Sequence, residues 1–247
     1  MTIKVAVVGA LGRMGRTICA AVEDAQDMEL VARLDVGDSI NERSLAGADV
    51  AIEFTVPSMT ESNVHALLEA DVDVVVGTTG WSDEALEGVR AAAEEAERAV
   101  IIAPNYALSA VLVMSFAEKA AAYFESVEVI ELHHPDKVDA PSGTAATTAR
   151  RIAQARRDAE VGVSPDATEI DPSGARGAKI DDVSVHAVRL RGLNAHEEVL
   201  LGNPGEQLVI RQDSFDRSSF MPGVLLAVRE VRGRTGLTYG LDKIMGL

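Results

Sequence analysis

Short apolar runs alternate with longer amphipathic ones over roughly the first hundred residues of the chain. Ile3 to Val8 is a β-branched-rich run that ends at Gly9, and Arg13 to Val22 then carries apolar residues at helical spacing. A strand, a glycine turn and a helix are therefore predicted in succession. Leu30 to Leu34 predicts a second strand ending in Asp35, "DVAIEF" a third ending in Glu53 and Phe54, "VDVVVG" a fourth ending at Gly77, and "AVIIAPN" a fifth. Between them lie "MTESNVHALLEA" and "SDEALEGVRAAAEEAERA", built from good helix formers. This alternation predicts a parallel sheet covered on both faces, and residues 1–106 are read as one α/β domain.

The pattern then changes. "ALSAVLVMSFAEKAAAYF" predicts an apolar helix and "SVEVIELHH" a strand. Pro141 with "SGTAATTARRIAQARR" predicts a helix start capped by Ser142, its arginines near the end that the helix dipole favours. Asp158 to Lys179 is rich in Gly, Pro, Asp and Ser and reads as loop. "VSVHAVRLRG", "HEEVLLG" and "EQLVIRQ" are strand-like, which implies an open, mostly β architecture with a helix or two on one side. Met221 to Val231 is helical again, and "GLTYGLDKIMGL" closes the sequence as a short tail.

Composition narrows the function. With 247 residues, 47% hydrophobic and 25% charged, the chain has apolar mass for a real core. A net charge of -16 argues against a nucleic-acid partner, which needs a basic footprint. The lone Cys19 rules out an internal disulfide and reads as a small core residue. The apolar run near the N-terminus stops at Leu11 without a cleavage pattern, and no run approaches bilayer-spanning length, so a soluble cytoplasmic protein is expected.

"GALGRMG" supplies Gly9, Gly12 and Gly15 between a predicted strand and a predicted helix, and Asp35 closes the next strand 20 residues after Gly15. A tight turn that brings a pyrophosphate onto a helix N-terminus, followed by an acid that can bind ribose hydroxyls, is the pattern of a dinucleotide site. Asp35 favours NADH, because a carboxylate repels the 2'-phosphate of NADPH; Arg13 and Arg16 add positive charge and keep NADPH use open. The strand-end loops "GTTG" (77–80) and "APNY" (103–106) suit the nicotinamide and its carboxamide.

The second concentration of chemistry is "ELHHPDKVDAPSGTA", in a chain with five histidines. His133 and His134 can straddle a strand end with Lys137 solvated, or a bend after Pro135 can bring His133 and Lys137 together. Metal ligation through the two imidazoles and Asp136 or Asp139 is rival chemistry, but no HExxH or Cys-His spacing supports it. Ser142 lacks the G-x-S-x-G setting of a nucleophile. A histidine that delivers a proton at neutral pH, a lysine beside it and a helix N-terminus at Ser142, Gly143 and Thr144 together describe reduction of a small anionic substrate. His186, His196, Arg189 and Arg191 lie in the β-rich part and receive no catalytic role. Another nicotinamide-dependent reductase of small carboxylates and a non-catalytic dinucleotide sensor are the competing classes, and no basic output helix favours the sensor.

The segments "VVGALGRMGR", "EFT", "VVGTTG", "APNYALSAVL", "ELHHPDKVDAPSGTA", "VHAVRLRG" and "GEQLVIRQDSFDRSSFMPGVLLAVR" resemble the 4-hydroxy-tetrahydrodipicolinate (dihydrodipicolinate) reductase family, actinobacterial members above all. The resemblance implies a Rossmann-like α/β dinucleotide-binding domain over residues 1–106, completed by a C-terminal return over 217–247. It also implies an α+β substrate-binding and tetramerisation domain on an open mixed β-sheet over 107–216. The implied reaction reduces a cyclic dicarboxylate with NADH or NADPH in the diaminopimelate and lysine pathway. By the same resemblance His133 donates the proton, Lys137 assists, and His134, Gly143 and Thr144 hold substrate carboxylates. Gly9, Ala10, Leu11, Gly12, Arg13, Met14, Asp35, Gly77, Thr78, Thr79, Ala103, Pro104, Asn105 and Tyr106 fall where the family binds the dinucleotide. Some members carry an arginine after the acidic residue, where this chain has Val36. Domain closure around the loops of Asn105 and Lys137 is expected to exclude water. A homotetramer is expected.

Overall fold

A computed structural model describes residues 2–247. The chain divides into two compact units, one of residues 1–107 and 217–247, the other of residues 108–216.

The first unit is built on a six-stranded sheet in the order β11-β5-β4-β3-β1-β2, with every pairing parallel. Its strands are β1 (Ile3–Val8), β2 (Met28–Leu34), β3 (Val50–Glu53), β4 (Asp73–Val76), β5 (Ala99–Ile102) and β11 (Gly236–Tyr239). All four residues of β3 and all four of β5 are buried, as expected of strands covered on both faces. The covering helices are α1 (Arg13–Asp24), α3 (Pro57–Glu69), α4 (Asp83–Glu95) and α7 (Met221–Val231). In α1 the buried residues are Gly15, Ile18, Cys19 and Val22, one stripe at helical spacing. Ser82 caps α4, whose first turn carries Asp83 and Glu84 at the positive end of the dipole. The core joins Ala6, Val8, Ala51, Val74, Val76, Val100 and Ile102 of the sheet to Val64 and Leu67 of α3 and Val89 and Ala93 of α4.

The second unit is a mixed sheet in the order β10-β9-β6-β8-β7, parallel only between β6 and β8. Its strands are β6 (Ser126–His133), β7 (Ala178–Ile180), β8 (Val183–Arg189), β9 (Ala195–Asn203) and β10 (Glu206–Ser214). Helices α5 (Leu108–Ala121) and α6 (Gly143–Asp158) pack through Val113, Ala117, Ala149 and Ile152 onto Val127, Val129, Val185, Val199 and Leu201. Strand β6 buries alternate residues, Val127, Val129 and Glu131. The far end of α6 is locked by the buried Arg156, which donates to the carbonyls of Phe124, Glu125 and Gly162 at 2.6 to 2.9 Å.

Four features differ from the sequence expectation. The second strand begins at Met28 rather than Leu30, and the segment read as loop gives its first residue to α6 and its last two to β7. A short helix, α2 (Glu42–Leu45), forms because the Asn41 side chain accepts from the backbone N–H of Arg43 and Ser44. The tail is an edge strand, β11, and a short helix, α8 (Leu241–Met245). Among the described residues no helix is long and apolar enough to cross a membrane.

Candidate active site

Strand β1 runs into Gly9, which has φ +85° and whose added Cβ would lie 2.3 Å from the carbonyl oxygen of Phe54. Only glycine fits there. A Cβ on Gly15 would lie 2.0 Å from the Gly9 carbonyl oxygen, so the first turn of α1 packs directly on the glycine loop. Gly12 is the N-cap of α1 and no side chain caps that end, which leaves a backbone cradle of the kind that receives a phosphate. Asp35, just past β2, accepts from the backbone N–H of Leu11 at 2.7 Å and of Val36 at 2.9 Å. The Val36 and Leu11 amides hold its carboxyl below the ordinary carboxylate range and so keep it an anion.

Two cavities open around this loop. One, of about 420 Å³, is lined by Gly12, Arg13, Met14, Gly77, Thr78, Thr79, Pro104, Asn105 and Tyr106, together with Phe54, Thr55, Pro57 and Phe220. The other, of about 360 Å³, has Gly9, Gly12, Asp35 and Val36 in its wall and shares Phe54 and Thr55 with the first. Of the residues expected at the dinucleotide, Ala10, Leu11 and Ala103 line neither: Ala10 and Ala103 are buried, and Leu11 reaches Asp35 through its N–H. The loop glycines, the anionic Asp35 and the two adjoining cavities fit a dinucleotide.

Sequence reasoning assigned no role to Phe54, Thr55, Pro57 or Phe220. The Phe54 ring packs on that of Tyr106, with centroids 5.7 Å apart, and would collide with any Cβ at Gly77. Burial pushes the Tyr106 phenol far up, and its O–H donates to the Val76 carbonyl at 2.8 Å. Trp81 donates its indole N–H to the Thr78 carbonyl at 2.8 Å and packs against the core of the unit.

In the second unit the chemistry gathers where β6 ends. Glu131 and His133 are two residues apart on one strand and so share a face. His133 Nδ1 lies 2.5 Å from Glu131 Oε2. A carboxylate only accepts, so Nδ1 carries a proton and Nε2 is the nitrogen left to gain and release one. Glu131 is fully buried and also accepts from Arg189 through both guanidinium nitrogens, at 2.7 and 2.8 Å, and from the Ser142 N–H at 3.0 Å. Burial alone would raise Glu131, but Arg189, then His133, outweigh it and hold the carboxyl below its usual range. For His133 burial wins over the attraction of Glu131, and the imidazole sits below its usual value.

Arg189 receives no catalytic role from the sequence, which leaves it between the substrate mouth and a charged outer face; register puts it here, since it pairs with His133 across β6 and β8. Its guanidinium also holds the Asp139 carbonyl at 2.7 Å, fixing the loop that carries Lys137. Lys137 Nζ lies 2.8 Å from Asp139 Oδ1. His134 is half-buried just past the strand, and its carbonyl accepts from the Lys137 N–H at 3.3 Å. Ser142 caps α6 by accepting from Ala145 N at 3.1 Å, with Gly143 and Thr144 as the first helical residues. Alternation along "VEVIELH" is the signal that could have found Glu131, since it continues the buried series of Val127 and Val129.

Elsewhere in the sheet His186 pairs with Glu128 at 2.7 Å, and the buried His196 pairs with Asp213 at 2.6 Å. Among the described residues no group of three or more His, Cys, Asp or Glu is placed to hold a metal.

Comparison with known proteins adds to this geometry. The family model "Dihydrodipicolinate reductase, N-terminus" matches residues 3–106 and "Dihydrodipicolinate reductase, C-terminus" matches residues 109–245. The chain is 60% identical to the 4-hydroxy-tetrahydrodipicolinate reductase of Beutenbergia cavernae and 56% identical to that of Nocardia farcinica, in each case over 100% of both chains. Its fold is similar to the solved structure of dipicolinate-bound dihydrodipicolinate reductase from Paenisporosarcina sp. TG-14, with a TM-score of 0.89 and 39% identity over 99% of this chain and 100% of that one. With a family model matched over each unit and relatives 56 to 60% identical over their full lengths, the chain belongs to the dihydrodipicolinate reductase family.

Proposed function

We propose that the chain reduces 4-hydroxy-tetrahydrodipicolinate to tetrahydrodipicolinate with a nicotinamide dinucleotide, in diaminopimelate and lysine biosynthesis, using His133 as the proton donor. The observation that carries the site assignment is the His133-Glu131-Arg189 arrangement: a buried carboxylate fixes Nδ1 and frees Nε2, while Arg189 holds that carboxylate in place.

Bound reduced nicotinamide supplies a hydride to C4 of the substrate ring. The 4-hydroxyl leaves as water together with a proton from C3, and one hydride at C4 and one proton at C3 then enter the ring. His133 Nε2 delivers the proton to C3, and Lys137 stabilises the charge that develops as it does so. His134 and the N-terminal turn of α6 at Gly143 and Thr144 hold the two carboxylates. The first unit is the dinucleotide-binding part, with the glycine loop at the pyrophosphate, Asp35 at the ribose, and Gly77 to Thr79 and Pro104 to Tyr106 at the nicotinamide. The second unit holds substrate and builds a homotetramer; Leu190, Leu208, Val209 and Phe215 are exposed on it. Asp35 favours NADH, while Arg13 and Arg16 permit NADPH.

The test follows the near-ultraviolet absorbance of reduced nicotinamide as the purified protein meets substrate made in place from pyruvate and aspartate semialdehyde by the preceding synthase. Substrate-dependent oxidation, faster with NADH than with NADPH, is expected. Bound dinucleotide without oxidation would overturn the reaction, and an NADPH preference would overturn the role given to Asp35.

A further inference from the structure

Glu53 ends β3 at the centre of the first unit's sheet and is fully buried. Its carboxyl receives the hydroxyls of Thr60 and Thr78 on Oε2, each at 2.8 Å, and the Thr55 hydroxyl and the Asn63 amide, at 3.2 Å, on Oε1. Thr78 Oγ1 also accepts from the Thr55 N–H at 2.8 Å, and Thr55 Oγ1 accepts from the Asn63 amide at 3.3 Å, which leaves both hydroxyl protons available to Glu53. Four donors converge on two oxygens and none of them is a cation, which is the environment of an ionised carboxylate neutralised only by dipoles. Thr55 and Thr78, the inner layer of this shell, are also wall residues of the larger cavity.

We infer that Glu53 is a buried anion that favours the oxidised, cationic nicotinamide over the reduced, neutral one and so promotes hydride release. The inference rests on placing the nicotinamide in the cavity lined by Thr55 and Thr78. One hydroxyl layer separates that cavity from a full negative charge held by preorganised dipoles. Across one such layer inside a protein a unit charge changes the relative affinity of cationic and neutral ligands by about three- to tenfold. Because the donors are already oriented, no reorganisation is needed as positive charge appears on the ring. Glu53 acts through Thr55 and Thr78 and is a positioning residue, not a catalytic one.

The test measures dissociation constants of NADH and NAD+ for the full-length protein and for Glu53→Gln, Asn63→Lys and Glu53→Asp, each checked for folding by circular dichroism. Glu53→Gln removes the charge, Asn63→Lys offsets it from a half-buried position, and Glu53→Asp keeps it. The ratio of the NAD+ constant to the NADH constant is expected to rise about three- to tenfold in the first two and to hold in the third, even where both affinities fall. A purely structural role would weaken both forms alike. An unchanged ratio in folded Glu53→Gln overturns the inference, and if that variant does not fold, an unchanged ratio in Asn63→Lys does so. A wild-type protein that binds neither form would instead overturn the placement of the cofactor.

Discussion

At the scale of single residues the proposal turns on one proton. His133→Ala is expected to lower kcat by about a hundred- to a thousandfold, the usual worth of a positioned general acid, with NADH binding nearly intact by fluorescence titration. The sign of its pH dependence follows from burial. Desolvation holds the imidazole below its ordinary value of 6.5, more strongly than Glu131 lifts it, and Lys137 and Arg189 add to the depression. The acid form that donates the proton is thus present at low pH and lost early as pH rises. The fall in kcat/KM on the alkaline side is expected to be centred below 6.5 for free enzyme, and Arg189→Met, which removes a nearby cation, should move it to higher pH. A limb unmoved by Arg189→Met would separate Arg189 from His133. Legibility at this scale divides by cause. His133 and Lys137 are visible as residue types in a rare cluster, and Glu131 is visible through alternation. Arg189 becomes visible only when strand register sets it opposite His133, and no local pattern encodes register between segments more than fifty residues apart.

At the scale of elements the second unit carries a cost beneath its site. Glu197 on β9 pairs in register with Glu131 on β6, is buried, and accepts from Thr148 of α6 at 2.6 Å through one oxygen, while its other oxygen has no partner. Burial, and after it the charge of Glu131, pushes its carboxyl up to about 7 from an ordinary 4.5. The folded protein therefore holds a proton that the unfolded chain releases, and stability falls as pH rises from 4.5 to about 7, then levels. The loss is about 3 kcal/mol at roughly 1.4 kcal/mol per tenfold change in proton affinity. Glu197→Gln should remove this dependence, so that thermal melts of variant and wild type draw apart between about pH 5 and pH 8, the variant becoming the more stable. Parallel curves would mean that Glu197 is solvated. Long apolar strands and strongly amphipathic helices were legible from pattern because burial on one or two faces dictates it. Strand β7, with two of its three residues exposed, carries no such pattern, and β11, which offers only Leu237 and Tyr239 as large apolar residues, is a strand because β5 presents it with an unpaired edge.

At the scale of the whole molecule the order of the chain and the order of the sheet disagree, and that disagreement has an energetic consequence. The first unit is interrupted after Ala107 and resumes at Arg217, so β5 gains its outer neighbour β11 only from the end of the chain. In the same return, α7 buries Met221, Val224, Ala227, Val228 and Val231, and it packs on β3, β4, β5 and α1. Five such side chains amount to about 10 kcal/mol of apolar burial, comparable to the whole stability of an ordinary domain. A fragment of residues 1–107 should therefore lack a cooperative thermal transition, while the same residues joined by a glycine-rich linker to 217–247 should regain one. Residues 108–216, which contain both covering helices and all five strands of their sheet, should unfold cooperatively alone. Calorimetry of the three polypeptides decides the matter. A cooperative transition in 1–107 alone would show that the C-terminal return adds binding or assembly surface and not the missing part of a core, and the burial assigned to α7 would have to be replaced in that fragment by collapse of the exposed sheet face.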